Sequence, residues 1–324
     1  MSKASMIIAL VAGIAAACGA DEGPPVEFIP PAELEPVAFD EIGTTSLLFE
    51  RATATSLALF LIDGSARTSR IAYDFDEGIM RGAAISPTGQ RVVFTRPVTD
   101  NMSFDLFVIG INGTGLVRLT NTPEFEGVPT WTRDGFSIIY PLSLGYFRRS
   151  VGGAGAEQVF TTRLGPGQTI VCPHAEMGMP AMLSVRSELA LACRSAVYKT
   201  LADKQTTVTL YEMENSSLYA PAWSSDGRTV AFIEVRPGTL AVRSLRDDEN
   251  TSRLLATVPS GTQSGRLEWG MYSLCWSADN ARLFFSVPES NGDAHIWTVR
   301  ADGTGLRQIT SRAGAFDFNV SCAG

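Results

Sequence analysis

Pro221-Ala222-Trp223-Ser224-Ser225-Asp226-Gly227, followed by the apolar run Val230-Ala231-Phe232, is the stretch whose reading decides the fold. A small residue, Trp, Ser, a spacer and Asp-Gly, with a large hydrophobe eight residues beyond the Ser, spell a strand, a tight turn and a second strand. The same grammar returns in Thr130-Trp131-Thr132-Arg133-Asp134-Gly135 with Tyr140, and in Cys275-Trp276-Ser277-Ala278-Asp279-Asn280 with Phe285. Ala84-Ile85-Ser86-Pro87-Thr88-Gly89 with Phe94 is a copy without the Trp. Repetition at a fixed period marks an array of like units, each too small to bury its own apolar face.

Working outward, a second hairpin follows each first one. Its clearest copies run from Leu106 to Thr120 around Asn112-Gly113 and from Ile296 to Thr310 around Asp302-Gly303. Leu57 with Asp63-Gly64 and Tyr146 with Gly152-Gly153 keep the same offset. Asn, Asp and Gly tolerate the positive φ of a tight hairpin turn. Each unit thus holds four strands.

With the Ser/Thr as anchor, the units fall at Ser86, Thr132, Ser184 (in the degenerate copy Met182-Leu183-Ser184), Ser224, Ser277 and Ser321, in steps of 46, 52, 40, 53 and 44. These steps are the size of a propeller blade. At the front, Leu47-Leu48-Phe49 aligns with Val92-Val93-Phe94 but has no anchor before it. At the back, Phe318 to Gly324 reads as a copy that stops at its turn glycine. A unit divided between the two ends predicts an all-β, six-bladed β-propeller over 44–324, closed when the C-terminal strand joins the N-terminal blade, which removes exposed sheet edges.

The pattern Pro-x-Trp-Ser-x-Asp-Gly, an apolar strand and Asp/Asn-Gly-Thr-Gly-x-x-x-Leu/Ile-Thr resembles the WD-like propeller repeat of the TolB-like family. The resemblance implies a periplasmic ring whose central funnel binds protein or peptide. TolB carries an α/β domain ahead of its propeller that this sequence does not show, so a place in the Tol system is not implied. One propeller hosts many roles, so the repeat speaks for architecture more than for function.

The N-terminus reads as a targeting segment, with Lys3, an apolar stretch from Met6 to Ala17, and Cys18 directly after Ala15-Ala16-Ala17. This resembles a bacterial lipobox, with Ala15 where Leu is usual, and makes Cys18 the expected lipidation site; a plain secretory signal is the alternative. Residues 19–43, with Pro24-Pro25, Pro30-Pro31, Pro36, five Glu and two Asp, read as an extended acidic tether. The expected location is the bacterial envelope, lipid-anchored at the outer membrane and facing the periplasm. A net charge of -8 without any basic run argues against nucleic acid as a partner.

Candidate site residues follow from what repeats and what does not. Trp131, Trp223 and Trp276 share one repeat position and read as packing between blades ahead of ligand stacking. Asp134 and Asp226, each before Gly, read as turn formers rather than metal ligands. Five residues before each anchor stand Arg81, Gly127, Met179, Tyr219, Tyr272 and Phe316. These differ between units, and Tyr, Phe, Met and Arg suit interfaces, so they form a candidate binding ring at the funnel mouth; a plug of the channel is the equal alternative.

His174 and His295, the two histidines, have no evident partner for base or metal chemistry, and no Gly-x-Ser-x-Gly elbow is present. No catalytic residues, metal or cofactor are expected. The reading is a monomeric binding or scaffolding protein for an envelope protein or peptide; the alternative is a lyase or lactonase with a funnel metal. In an oxidising compartment Cys172 with Cys193 and Cys275 with Cys322 form the local disulfide pairing, against the alternative of four buried thiols.

Overall fold

In the computed structural model, the described residues are 42, 45–54, 57–63, 68–71, 81–98, 103–142, 145–153, 155–161, 163–165, 168–169, 181–183, 188–193, 195–200, 207–249, 251–261 and 272–323. Cys18, Cys172, His174, Met179 and Ser184 lie outside them, as do residues 1–41. Among the described residues all regular structure is strand. Strands β1 (Ser46–Ala52), β2 (Leu57–Ile62) and β3 (Thr68–Ile71) come first, then β4 (Arg81–Ile85), β5 (Arg91–Val98), β6 (Ser103–Gly110) and β7 (Val117–Arg118). A third group is β8 (Thr130–Trp131), β9 (Ser137–Leu142), β10 (Gly145–Ser150) and β11 (Ala156–Thr161), followed by the small pair β12 (Arg163–Gly165) and β13 (Gln168–Thr169). Next come β14 (Ala181–Leu183), β15 (Glu188–Cys193), β16 (Ala196–Thr200) and β17 (Thr207–Glu212), and then β18 (Ser217–Trp223), β19 (Thr229–Arg236), β20 (Thr239–Arg246) and β21 (Arg253–Pro259). The chain ends in β22 (Leu274–Trp276), β23 (Arg282–Pro288), β24 (Ala294–Arg300), β25 (Arg307–Gln308) and β26 (Phe316–Ala323).

Four groups, β4 to β7, β8 to β11, β14 to β17 and β18 to β21, are four-stranded antiparallel meanders with neighbours in chain order. The remaining strands share one sheet in the order β22-β23-β24-β26-β1-β2-β3, with β25 on β24. Within it β26 pairs antiparallel with β1, Cys322 opposite Leu47 and Phe318 opposite Glu50, and touches β24 in parallel through Ala294 and Phe316.

The repeated residues have separable jobs. At the first turn of the fifth group, Ser224 Oγ donates to Asp226 Oδ1 (2.6 Å), which accepts the Arg228 amide (3.0 Å), while Ser224 Oγ accepts the Thr229 amide (3.1 Å). Thr132 with Asp134 and Ser277 with Asp279 repeat this net, so the Asp residues serve the turn. Their hydroxyl bonds hold all three carboxyls below the usual range. The Thr that closes each second hairpin returns to its own sheet, where Thr120 Oγ1 accepts the Leu106 amide (2.8 Å) and Thr310 Oγ1 the Ile296 amide (2.9 Å).

At two of its three copies the Trp position bonds its group to the one before it, while the buried Trp223 Nε1 makes no such bond. Trp131 Nε1 donates to the Ala84 carbonyl (2.9 Å) and Trp276 Nε1 to the Ala222 carbonyl (3.0 Å). Apolar clusters fill the spaces between sheets: Leu48, Ile85 and Phe94 meet in one, and Ile233, Leu283 and Phe285 in another. Full burial of each such side chain contributes about 1.5–3 kcal/mol.

Strand register corrects the sequence reading at its two weakest copies. Trp223 faces Val230, Trp276 faces Leu283, Ile85 faces Val92, and on β26 it is Cys322 that faces Leu47. Since Leu47 aligns with Val92, Cys322 holds the Trp position, Ala323 the anchor and Ser321 the place two residues earlier. Gly324, read as the turn glycine, lies outside the described residues, and the residue five before the anchor is Phe318, not Phe316. In the degenerate copy Leu183 faces Glu188, five residues on, the separation at which the Ser224 amide meets the Thr229 carbonyl, which moves that anchor to Leu183. The apolar pattern placed these strands, but without Trp or Asp nothing in the sequence fixed their phase.

A β-bulge interrupts the first strand of three groups. Two residues oppose one between Arg81 and Ala84, between Tyr219 and Ala222, and between Phe318 and Ser321. Gly82 (φ 65°), Ala220 (φ 47°) and Asn319 (φ 55°) take the left-handed conformation the bulge needs. The next residue loses its ladder partner, and each group meets this differently. Glu50 Oε1 accepts the Ala83 amide (2.9 Å), Ser273 Oγ accepts the Val320 amide (2.8 Å), and the third position is Pro221, which has no N–H.

Candidate functional site

The first strands converge at their anchor ends on a cavity of about 280 Å³, lined by residues of β4, β8, β18, β22 and β26 and their turns. Its floor is apolar: Ile85, Leu274 and Val320, the Cys275–Cys322 disulfide, and the indoles of Trp131, Trp223 and Trp276. Two of these indoles have committed their N–H to a neighbouring sheet, so they both pack the groups together and present hydrocarbon to the cavity. The rim is polar. Arg133 Nη1 donates to the Ser225 carbonyl (2.9 Å), the Ser225 amide to Asn280 Oδ1 (2.7 Å), and Asn280 Nδ2 to Ser225 Oγ (2.6 Å). An apolar floor below a laced polar rim with one guanidinium suits a ligand that inserts a hydrophobic group and carries an acceptor or carboxylate beside it.

The candidate ring does not line this cavity. Tyr219, the third residue of β18, and Tyr272, two residues ahead of β22, come just before the cavity-lining residues Ala220 and Leu274, rings 4.8 Å apart and packed against the cluster of Ile233 and Phe285. Burial, with the Tyr219 ring beside it, raises the Tyr272 hydroxyl above its usual pKa. Phe316 contacts Phe318 at 5.5 Å and, by the β26 register, is two residues out of the ring position. Gly127 is buried; Arg81 opens β4, and Met179 is outside the described residues. The cavity is instead lined by Pro87, Arg133, Ser225 and Ala278, the residues directly after four of the six anchors. They differ from copy to copy, as the residues of the candidate ring do.

Near the ring's end of the strands lies a buried ionic group that sequence reasoning missed. Arg51 Nε and Nη2 clasp the Asp317 carboxylate at 2.6 and 2.8 Å. Burial pushes Asp317 up, and the bonds from Arg51, with the His295 ring nearby, more than offset this, holding it below the usual carboxyl range. His295, expected to lack a partner, has Nδ1 3.9 Å from Asp317 and Nε2 4.0 Å from Glu289. Asp317, against the opposing effect of burial and with help from Glu289, raises its pKa. Glu50, wholly buried, is pushed up to about 7 by burial, although the Asn319 amide and the Ala83 N–H both donate to it. Among the described residues no three His, Cys, Asp or Glu side chains come together as a metal site would require.

Cys275 and Cys322 are bonded (S–S 2.02 Å, Cα–Cα 5.7 Å), tying the first strand of the last group to the C-terminal strand. Cys193 is also disulfide-bonded, and its expected partner Cys172 falls outside the described residues.

Repeated four-stranded meanders converging by their first strands on one cavity define the β-propeller class. Known structures agree. TolB from Acinetobacter baumannii superposes with a TM-score of 0.68 at 11% identity, over 87% of this chain and 67% of that one. A chain of the nidogen/laminin complex gives 0.63 at 11% identity, over 86% of this chain and 98% of that one. Oligogalacturonate lyase in complex with manganese gives 0.53 at 12%, over 90% and 88%. The fold is a TolB-like β-propeller. No family model matches the sequence. An uncharacterized protein, Atu1656, of Agrobacterium fabrum is 23% identical over 194 residues, 59% of this chain and 60% of that protein, so the match covers less than two thirds of that relative.

Proposed function

We propose that the protein is an envelope lipoprotein, anchored through Cys18, that presents a closed six-bladed propeller for recognition of a protein or peptide at the anchor-end cavity. The observation that carries this reading is the cavity itself, with its indole and disulfide floor and the Arg133, Ser225 and Asn280 rim. Five four-stranded groups, with β26 joining β1 to β3 as the sixth, support the count, and the β26 to β1 pairing supports closure. TolB and the nidogen/laminin chain are similar in fold, which accords with a binding role without assigning one. The lipobox-like Cys18 and the acidic residues 19–43 support the anchored location.

The test is in-cell cross-linking and mass spectrometry of the native protein beside a variant whose cavity is filled by Ala278→Trp and whose rim charge is reversed by Arg133→Glu. A partner captured by the native protein and lost from the variant supports the reading. Equal capture by both removes the cavity from it.

A further inference from the structure

Charge singles out one side of the cavity rim. Among the described residues that line the cavity, Arg133 alone has an ionised side chain, although the chain as a whole carries a net charge of -8. The acids of the neighbouring turns are engaged elsewhere. Asp134, Asp226 and Asp279 each accept on Oδ1 the hydroxyl of their own anchor (2.6 Å), and none of the three lines the hollow. An anion entering here therefore meets a cation and, among the described residues, no lining carboxylate.

Arg133 and Ser225 form a pair of donors. The bond from Arg133 Nη1 to the Ser225 carbonyl (2.9 Å) holds the guanidinium beside that residue, and a guanidinium has five N–H donors, so this bond does not exhaust it. Asn280 fixes Ser225 from the other side, its Oδ1 accepting the Ser225 amide (2.7 Å) and its Nδ2 donating to Ser225 Oγ (2.6 Å). Because Ser225 Oγ is the acceptor in that bond, its own proton is left to donate. A guanidinium and a hydroxyl side by side suit the two oxygens of a carboxylate.

Size limits what that carboxylate is attached to. At about 280 Å³ the hollow lies at the small end of ligand pockets, which run to about 300–1,000 Å³. It has room for one bulky apolar side chain over the Trp floor and none for a folded segment. Beside the rim, Phe136 is 70% exposed in the turn whose Gly135 stands against Pro87, where an added Cβ would lie 3.8 Å from Pro87 Cδ. Phe136 offers a second apolar contact to a ligand that continues past the hollow, which favours a chain over a free acid.

We infer that the cavity recognises the C-terminal residue of a peptide or protein chain. A bulky apolar side chain enters the hollow, Arg133 and Ser225 hold the terminal carboxylate, and the preceding residues pass Phe136. The inference rests on the binding role proposed above and names the chemistry of its partner.

The experiment measures binding of the full chain to hexapeptides ending in phenylalanine, leucine, tryptophan or valine. Each is fluorescent at its N terminus, read by anisotropy, and made both as free acid and as C-terminal amide. At least one free acid is expected to bind, and its amide about tenfold or more weaker, the scale of a lost charge-assisted hydrogen bond. Arg133→Gln, at an exposed turn position, is expected to bring the free acid down to the affinity of the amide and to leave the amide where it was. Four free acids that do not bind, an acid and amide of equal affinity, or an Arg133→Gln loss shared equally by both overturns the inference. So does displacement of the peptide by its own N-acetylated terminal residue at equal concentration, which would assign the hollow to a free small carboxylate. These failures leave the binding role standing where in-cell capture is still lost on Ala278→Trp alone; capture indifferent to that change removes the cavity from the binding role as well.

Discussion

Glu50 offers a perturbation whose size follows from its surroundings. The side chain is 0% exposed on β1, and its Oε1 accepts from Ala83 in the next sheet and from Asn319 on β26. Burial raises its pKa from 4.5 to about 7. The folded chain thus keeps a proton through an interval in which the unfolded chain has released it. Stability attributable to Glu50 is greatest below 4.5, falls as pH rises toward about 7, and is flat beyond. At about 1.4 kcal/mol per pH unit the loss amounts to about 3 kcal/mol. Glu50→Gln retains the acceptor for the Ala83 amide and cannot ionise. Denaturant unfolding of native and variant protein from pH 4.5 to pH 8 is expected to show near-equal stability at the acid end and a variant more stable by about 3 kcal/mol at the alkaline end. Other groups that titrate in this range, His295 among them, are common to both proteins and cancel in the difference. Parallel curves would refute the argument that burial, and not the two donated bonds, governs this carboxyl.

Replacing Cys275 and Cys322 together by Ala opens a cross-link of sequence separation 47 and is expected to cost about 2–4 kcal/mol in denaturant unfolding; an unchanged midpoint would remove the staple from the account. Gly82→Ala places a Cβ 2.3 Å from Val128 Cγ1 at a φ of 65°, and a loss of about 2–4 kcal/mol in thermal unfolding is expected from overpacking and left-handed strain. Ser273→Ala strands the Val320 amide in the bulge of β26 and is expected to cost about 1–3 kcal/mol, whereas Pro221→Ala, at the position without an N–H, adds a donor that must find its own partner. Elemental analysis of the purified protein is expected to show no stoichiometric Ca, Mn or Zn; a full equivalent would favour the enzymatic alternative.

What could be read from the sequence was whatever the repeat wrote in distinctive residues. Trp-Ser/Thr-x-Asp-Gly/Asn placed the hairpins of Trp131, Trp223 and Trp276 in register, because the turn uses the hydroxyl, the carboxyl and a residue that takes positive φ, Gly135, Gly227 or Asn280. The spacing could not phase β26, where Cys322 replaces Trp and Ala323 replaces the anchor, and this displaced Phe316 from its assigned role. The bulges were invisible because Gly82, Ala220 and Asn319 share a conformation and no residue type. Arg51, Asp317 and Glu50 escaped notice because their partnership spans more than 260 positions of sequence, closed only when β26 lies on β1. The cavity escaped for a simpler reason: residues after the anchor vary as much as those before it, and only the convergence of strand ends shows which set surrounds a hollow.

The most direct test places a photo-reactive side chain at Ala278, on the cavity rim, and in a second protein at Asn291, in the exposed turn between β23 and β24 at the other end of the strands. Irradiation in cells is expected to join a partner to the Ala278 protein and not to the Asn291 protein. Capture from Asn291 alone would contradict recognition at the anchor-end cavity and move it to the opposite face.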